Sequence, residues 1–153
     1  MALPLDVSPV PYRLHKGLTV EAAGRWLGGG VVQVFQDLRL IARVDVPSAE
    51  WTILAVLAKA SHRSAKEGWA YAFVDTRTLA GELQQRTGLG YGNPASLHRV
   101  IYRLRKLLSR KVQLDGCEDF GQHLVEKHPM LGYRLSVWPN QIALTFLDAE
   151  SSD

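Results

Sequence analysis

Residues 51–58, Trp-Thr-Ile-Leu-Ala-Val-Leu-Ala, are apolar almost all the way round when they are drawn as a helix. Only Thr52 and Lys59, seven residues apart, give this helix a polar side. Ser48 is a suitable N-cap, and Glu50 in the first turn is favourably placed in the field of the helix dipole. Such a helix needs cover from other elements on nearly every side, and 153 residues are enough to supply that cover within one domain.

The chain before this helix is rich in β-branched residues and glycine. Between residues 14 and 46, Gly24 and the run 28–30 separate strand-like segments, which predict a small antiparallel sheet. The predicted strands are 18–20, 31–35 and 38–44. Outside the domain, residues 1–13 with their three prolines predict an extended arm, and residues 148–153 predict a frayed tail.

The chain after the first helix alternates between helical and strand-like patterns. Asp75 or Thr76 is the predicted N-cap of a second helix that ends at Gly88, and Asn93-Pro94 begins a third helix that runs to about Arg110. The other predicted segments are a polar loop at 61–68, a strand at 69–74, an acidic segment at 114–126, a hairpin with strands 124–127 and 132–137, and a strand at 142–146. The prediction is one α+β domain over residues 14–147, with a sheet at 14–46, a helical core at 47–111 and the hairpin and last strand at 112–147.

Positive charge is concentrated in the third helix. The net charge of the chain is only +3, yet residues 94–113 contain six basic side chains and no acid. At about 100° per residue, four of them form one stripe opposite the apolar side chains. The stripe consists of Arg99, Arg103, Lys106 and Arg110. Because stacked like charges destabilise a helix unless a polyanion neutralises them, the stripe favours nucleic-acid binding over the alternative of an ordinary solvated face.

The order of the elements is that of a winged helix-turn-helix, in which the third helix lies in the major groove. Four stretches resemble the OmpR/PhoB-type DNA-binding domains of bacterial response regulators. They are 18–26, with Leu-Thr-Val-Glu and Arg-Trp; 48–54, Ser-Ala-Glu-Trp-Thr-Ile-Leu; 97–108, ending in Leu-Arg-Lys-Leu-Leu; and 124–135, ending in Gly-Tyr-Arg-Leu. The resemblance implies a three-helix core, an N-terminal antiparallel sheet and a C-terminal hairpin that serves as the wing.

The resemblance also implies roles for individual residues in DNA binding. Arg99 and Arg103 match base-facing positions of the recognition helix. The residues expected at phosphates or at the flanks are His98, Tyr102, Arg105, Lys106, Arg110, Lys127 and His128. Where the family often has an arginine at the wing tip, this chain has His128-Pro129-Met130, which departs from the pattern for minor-groove reading.

Partners follow from the same resemblance. Double-stranded DNA is the expected ligand, the loop 86–93 is a possible contact for RNA polymerase, and a homodimer on tandem half-sites is possible. The sequence contains no receiver domain, so we expect either a stand-alone regulator or a domain that serves another DNA transaction. The segments 31–44, 61–68 and 114–123 are additions to the family pattern.

Other function classes find little support in the sequence. No run approaches the roughly 20 apolar residues of a membrane-spanning helix, and the single cysteine, Cys117, fits a reducing cytoplasm. With the expected DNA binding, the predicted location is cytoplasmic and nucleoid-associated. Cys117, His123 and His128 match no standard zinc spacing, no catalytic constellation is recognisable, and no cofactor is expected. The alternative to a regulator is an interaction or assembly module that binds DNA weakly, with the acidic segment and the strand 142–146 as contacts.

Overall fold

The computed structural model describes residues 17–26, 28–67, 72–88, 93–113 and 119–147, and within them the fold is α+β. The strands are β1 (Leu18–Arg25), β2 (Gly29–Gln36), β3 (Arg39–Val46), β4 (Val125–His128), β5 (Gly132–Leu135) and β6 (Ile142–Phe146). The helices are α1 (Ser48–Glu67), α2 (Thr76–Thr87), α3 (Pro94–Lys111) and the short α4 (Phe120–Leu124). A single turn of 3-10 helix, Pro139–Gln141, precedes β6.

The larger sheet has the strand order β3-β2-β1-β6. The first three strands are antiparallel, as the sequence predicts, but β6 lies parallel to β1, so the sheet is mixed. The prediction of a purely antiparallel sheet was therefore incomplete. Strand 142–146 is confirmed, and Gln141, immediately before it, donates a hydrogen bond from Nε2 to the Leu18 carbonyl (3.0 Å), which anchors the strand beside β1.

Three glycines predicted to separate strands, Gly24, Gly29 and Gly30, lie inside them instead. Gly24 belongs to β1 and Gly30 to β2, and they face each other across the pair. A Cβ on Gly24 would lie 2.6 Å from a ring atom of Trp51, and a Cβ on Gly30 would lie 2.2 Å from the Trp51 indole nitrogen. Glycine is used here because α1 presses the Trp51 ring directly onto the sheet backbone.

Helix α1 is longer than the sequence predicts. It continues through residues 61–67, where we expected a loop, because Ser61 and Ser64 are buried and the Ser64 hydroxyl donates to the Ser61 carbonyl (2.6 Å). Ser48 is the first helical residue rather than the cap. Thr52, expected on the polar side, is fully buried, and its hydroxyl donates to the Ser48 carbonyl (2.7 Å).

The predicted caps of helices α2 and α3 are confirmed. The Asp75 side chain caps α2 by accepting a hydrogen bond from the Thr78 amide (2.8 Å), and Gly88 ends the helix in the left-handed conformation. Asn93 caps α3 in the same way through the Ser96 amide (2.9 Å). The hydrogen bonds from the Thr78 amide and hydroxyl hold the pKa of the Asp75 carboxyl below its usual value of 3.8.

The β4–β5 hairpin is present, with α4 immediately before it in what the sequence predicted as an irregular acidic segment. The backbone of Val74 pairs with that of Tyr133, so residue 74 forms an isolated antiparallel bridge to strand β5 of the hairpin. The second hairpin strand ends at Leu135 rather than at the expected residue 137. The Ser136 amide still donates to the Leu124 carbonyl (2.8 Å), but Leu124 is the last residue of α4, so no strand residue remains there for pairing.

Several predictions fall outside the described residues. They concern the arm at 1–13, the first half of the strand at 69–74, the middle of the loop 86–93, the segment around Cys117 and the tail at 148–153. Among the described helices, none is both long enough and apolar enough to span a bilayer.

Candidate nucleic-acid interface

Helix α3 is strongly two-sided. Its apolar side chains Leu97, Val100, Ile101, Leu104 and Leu108 are buried in the core. The cationic stripe, Arg99, Arg103, Lys106 and Arg110, is exposed along the whole helix. Because the 18 residues of α3 include no carboxylate, the only acids near the stripe come from other elements.

A cleft of about 620 Å³ separates the stripe from the β4–β5 hairpin; we call it the hairpin-side cleft. Its basic side chains are His98, Arg99, Arg105, Lys106 and Lys127, and Asp119 is the one carboxylate among the described residues that line it. Tyr102 stands on its edge with 58 % of its surface exposed, and the ammonium of Lys106 lies 5.3 Å from the centre of its ring. The cleft therefore combines strong positive charge with an aromatic face.

The hairpin is fixed to α3 by a polar contact at the floor of this cleft. His98 Nδ1 and the Tyr133 hydroxyl are 2.7 Å apart and share a hydrogen bond. Burial raises the pKa of Tyr133, which keeps its hydroxyl protonated. Partial burial lowers the pKa of His98, and the neighbouring charge of Lys127 lowers it further.

Arg105 has a structural contact that the sequence does not reveal. Its Nε and Nη2 atoms both donate to the Val125 carbonyl, at 3.2 and 2.7 Å. The guanidinium is half-buried, and this burial lowers its pKa. Arg105 therefore ties α3 to the start of β4 with two of its five N–H groups, a structural role that the sequence did not predict beside the expected phosphate contact.

A second cleft, of about 550 Å³, lies on the other side of the stripe, between α3 and the start of α1; we call it the α1-side cleft. Its charged lining consists of Glu50, Arg103, Lys106 and Arg110. Arg103 Nε donates to Glu50 Oε1 at 3.2 Å across the cleft. Glu50 thus has a tertiary partner 53 residues away, beyond the helix-dipole role expected from the sequence.

His128 lies at the turn of the hairpin, and its side chain is buried. Its Nδ1 accepts hydrogen bonds from the Met130 and Leu131 amides, both at 3.1 Å. The ring therefore stabilises the turn from inside, and we leave His128 out of the proposed DNA contacts. Lys127, one residue earlier, is exposed beside the hairpin-side cleft.

Sequence reasoning missed the ion pairs made by three residues in and near this surface: Glu50, Glu126 and Arg134. Arg134 belongs to the Gly-Tyr-Arg-Leu stretch that carried the resemblance, yet it is 1 % exposed and pairs with Glu126 at 3.2 Å. Glu126 is also its direct cross-strand neighbour in the hairpin register, so strand pairing is the signal that predicts the contact.

Neither metal binding nor stacking of Trp26 and Trp51 on nucleic-acid bases finds support within the described residues. No group of three His, Cys, Asp or Glu side chains there is arranged to hold a metal ion. Trp26 and Trp51 are buried and pack edge-to-face at 5.6 Å, so both rings serve in core packing.

Acidification is expected to destabilise the protein through His98. Because the folded state lowers the pKa of His98 below 6.5, it binds the proton less readily than the unfolded chain does. The stability linked to neutral His98 is present above pH 6.5 and is lost as the pH falls through the lowered value. We expect the urea midpoint to fall more for the wild type than for His98→Asn between about pH 7.5 and about pH 5.5. Equal losses in the two proteins would contradict this assignment.

Comparison with protein-family models, with curated proteins and with solved structures found no match to this chain.

Proposed function

We propose that this protein is a sequence-specific double-stranded DNA-binding protein, a bacterial transcriptional regulator of the winged helix-turn-helix type. In this proposal α2 and α3 form the helix-turn-helix, α3 enters the major groove and the β4–β5 hairpin serves as the wing. The pairing of Val74 with Tyr133 supports this assignment, since it joins the segment between α1 and α2 to the hairpin.

One observation carries the proposal: the exposed cationic stripe of α3 runs between two concave, positively charged clefts. A helix of 18 residues is about 27 Å long and about 10–12 Å wide with its side chains, which suits a major groove about 12 Å wide. A helix in the groove has a phosphate backbone on either side. The hairpin-side and α1-side clefts lie where those two backbones would run.

The side chains then divide into two groups. Arg99 and Arg103 belong to the stripe and also line one cleft each. They are the proposed readers of base edges because the resemblance places them at base-facing positions and because an arginine pairs with guanine through two hydrogen bonds. The proposed phosphate contacts are Tyr102, Lys106, Arg110 and Lys127, which line the clefts. Contact of the loop 86–93 with RNA polymerase and dimerisation on tandem half-sites stay predictions.

The test is selection of binding sites from random-sequence duplex DNA at two salt concentrations, followed by competition binding with variants. Arg103→Ala is expected to relax preference at one base pair, because it removes a base contact worth about 1–3 kcal/mol of discrimination. Lys106→Ala is expected to weaken binding to all sequences alike and to lower the salt slope by about 1, because it removes one phosphate contact.

The matched control is Lys66→Ala, which removes the same charge from the exposed last turn of α1, away from both clefts. Its salt slope and site preference should equal those of the wild type. Selection that enriches no motif, with affinity indifferent to salt, would refute the proposal and favour the interaction-module alternative.

A further inference from the structure

The ion pair between Glu50 and Arg103 joins one buried side chain to one exposed side chain. The Glu50 side chain is only 7 % exposed, whereas that of Arg103 is 54 % exposed. Glu50 lies in the first turn of α1, and the buried core of α1 holds this turn in place. The carboxylate is therefore the fixed member of the pair, and the long arginine side chain is the member that is held.

The contact uses only one edge of the guanidinium. Arg103 donates to Glu50 through Nε, at 3.2 Å, and among the described residues no further partner contacts its two terminal nitrogens. Those nitrogens supply four more N–H groups in a planar fork. A fork held at Nε has lost much of its rotational freedom, while its outer edge stays open to solvent.

This geometry suits recognition of a base edge. Arginine pairs with guanine by placing two parallel N–H groups against O6 and N7, and that arrangement requires a defined plane for the guanidinium. A side chain ordered before binding loses less conformational entropy when it binds, so more of its contact energy appears as discrimination. An unrestrained arginine at the same position can turn to any nearby phosphate.

The charge of Glu50 acts in the same direction. A buried carboxylate beside the stripe repels the DNA phosphates and offsets part of the attraction of Arg103 for any sequence. It therefore weakens non-specific binding. The hydrogen bonds to the correct base can still form, because they use the outer edge of the guanidinium, which Glu50 does not contact.

We propose that Glu50 is a positioning residue that sets DNA specificity by holding Arg103 in a base-reading orientation. This inference rests on the proposed function. It assigns the α1-side cleft a definite part in recognition: it orients a reader for guanine, besides accepting a phosphate backbone.

The test compares Glu50→Ala with Glu50→Gln on the site selected by the wild type and on a scrambled duplex. Alanine removes both the acceptor and the charge, so we expect the preference for the selected site to fall roughly tenfold while affinity for scrambled DNA rises. Glutamine keeps an oxygen that accepts from Arg103 Nε but removes the charge. It should raise affinity for both duplexes and keep the preference within about twofold of the wild type.

A double-mutant cycle with Arg103→Ala separates positioning from folding. If Glu50 acts through Arg103, then Glu50→Ala changes the site preference in the wild-type background and leaves it unchanged in the Arg103→Ala background. The urea midpoints of all variants identify any that are destabilised. A loss of preference of equal size in both backgrounds overturns the inference, and so does a Glu50→Ala protein that discriminates as well as the wild type.

The outcomes also distinguish this inference from the proposed function. If the wild type selects no motif, the proposed function fails before the cycle begins. If it selects a motif that depends on Arg99 and Arg103, but Glu50 and Arg103 are uncoupled, only the positioning role of Glu50 fails.

Discussion

Gly132→Ala is expected to detach the β4–β5 hairpin and to lower the free energy of unfolding by at least about 2 kcal/mol. Gly132 has a φ of +103°, in the left-handed half of conformational space that side chains disfavour. A Cβ there would also lie 2.1 Å from the Val74 carbonyl oxygen and 2.7 Å from the Asp75 Cα, which are backbone atoms that cannot turn aside. Strain and collision therefore add at the same position.

The measurement is urea unfolding, with Gly81→Ala as the matched control. Gly81 is exposed within α2, and a Cβ added to it meets no other atom within 4 Å. Because alanine is the better helix former, Gly81→Ala should stabilise the protein by about 0.5–1 kcal/mol. Similar urea midpoints for the two variants would contradict the close approach of Gly132 to the backbone of Val74.

Glu126→Ala is expected to lower the free energy of unfolding by about 3 kcal/mol. Glu126 is a carboxylate partner of Arg134, at 3.2 and 3.4 Å, and it also accepts a hydrogen bond from Ser136 at 2.7 Å. The Arg134 side chain is 1 % exposed and lies 4.5 Å from the centre of the Phe73 ring. The substitution therefore takes a carboxylate away from a buried guanidinium, which needs that charge to offset its loss of water.

Urea unfolding checks this value against two comparisons. Glu82→Ala removes the same residue type from the more exposed pair with Arg86 on α2 and should cost no more than about 0.5 kcal/mol. The double variant Glu126→Leu with Arg134→Met replaces both charges by apolar groups, and it should recover most of the loss. A Glu126→Ala protein as stable as Glu82→Ala would show that Arg134 gains hydration more readily than its burial implies.

The parts of the fold that sequence predicts are those with local causes. Helix α3 begins and ends close to the expected residues because Asn93, Pro94 and the periodic apolar residues all act within a few positions of one another. The end of α1 was missed for the converse reason. Ser61, His62 and Ser64 have the composition of a loop, and their helical state depends on elements distant in sequence. Ser61 and Ser64 are buried, and His62 Nε2 contacts the Ile142 carbonyl at 2.6 Å.

In the candidate site, too, the local features could be predicted from the sequence and the tertiary contacts could not. The cationic stripe could be predicted because helical geometry fixes which residues share a face. The contacts of Arg105 with Val125 and of Arg103 with Glu50 could not, because they join residues 20 and 53 positions apart. Helical periodicity identifies an exposed arginine, but only the tertiary structure tells which of its hydrogen-bond donors are already engaged.

The parallel pairing of β6 with β1 has a consequence for biosynthesis. Val20 pairs with Ile142, and the Phe146 ring packs against Trp26 and Trp51, at 4.8 and 5.6 Å between ring centres. During translation, the edge of β1 and this aromatic surface stay uncovered until residues 142–146 have left the ribosome. Until then the nascent chain carries an uncovered strand edge, which is the kind of surface that molecular chaperones recognise.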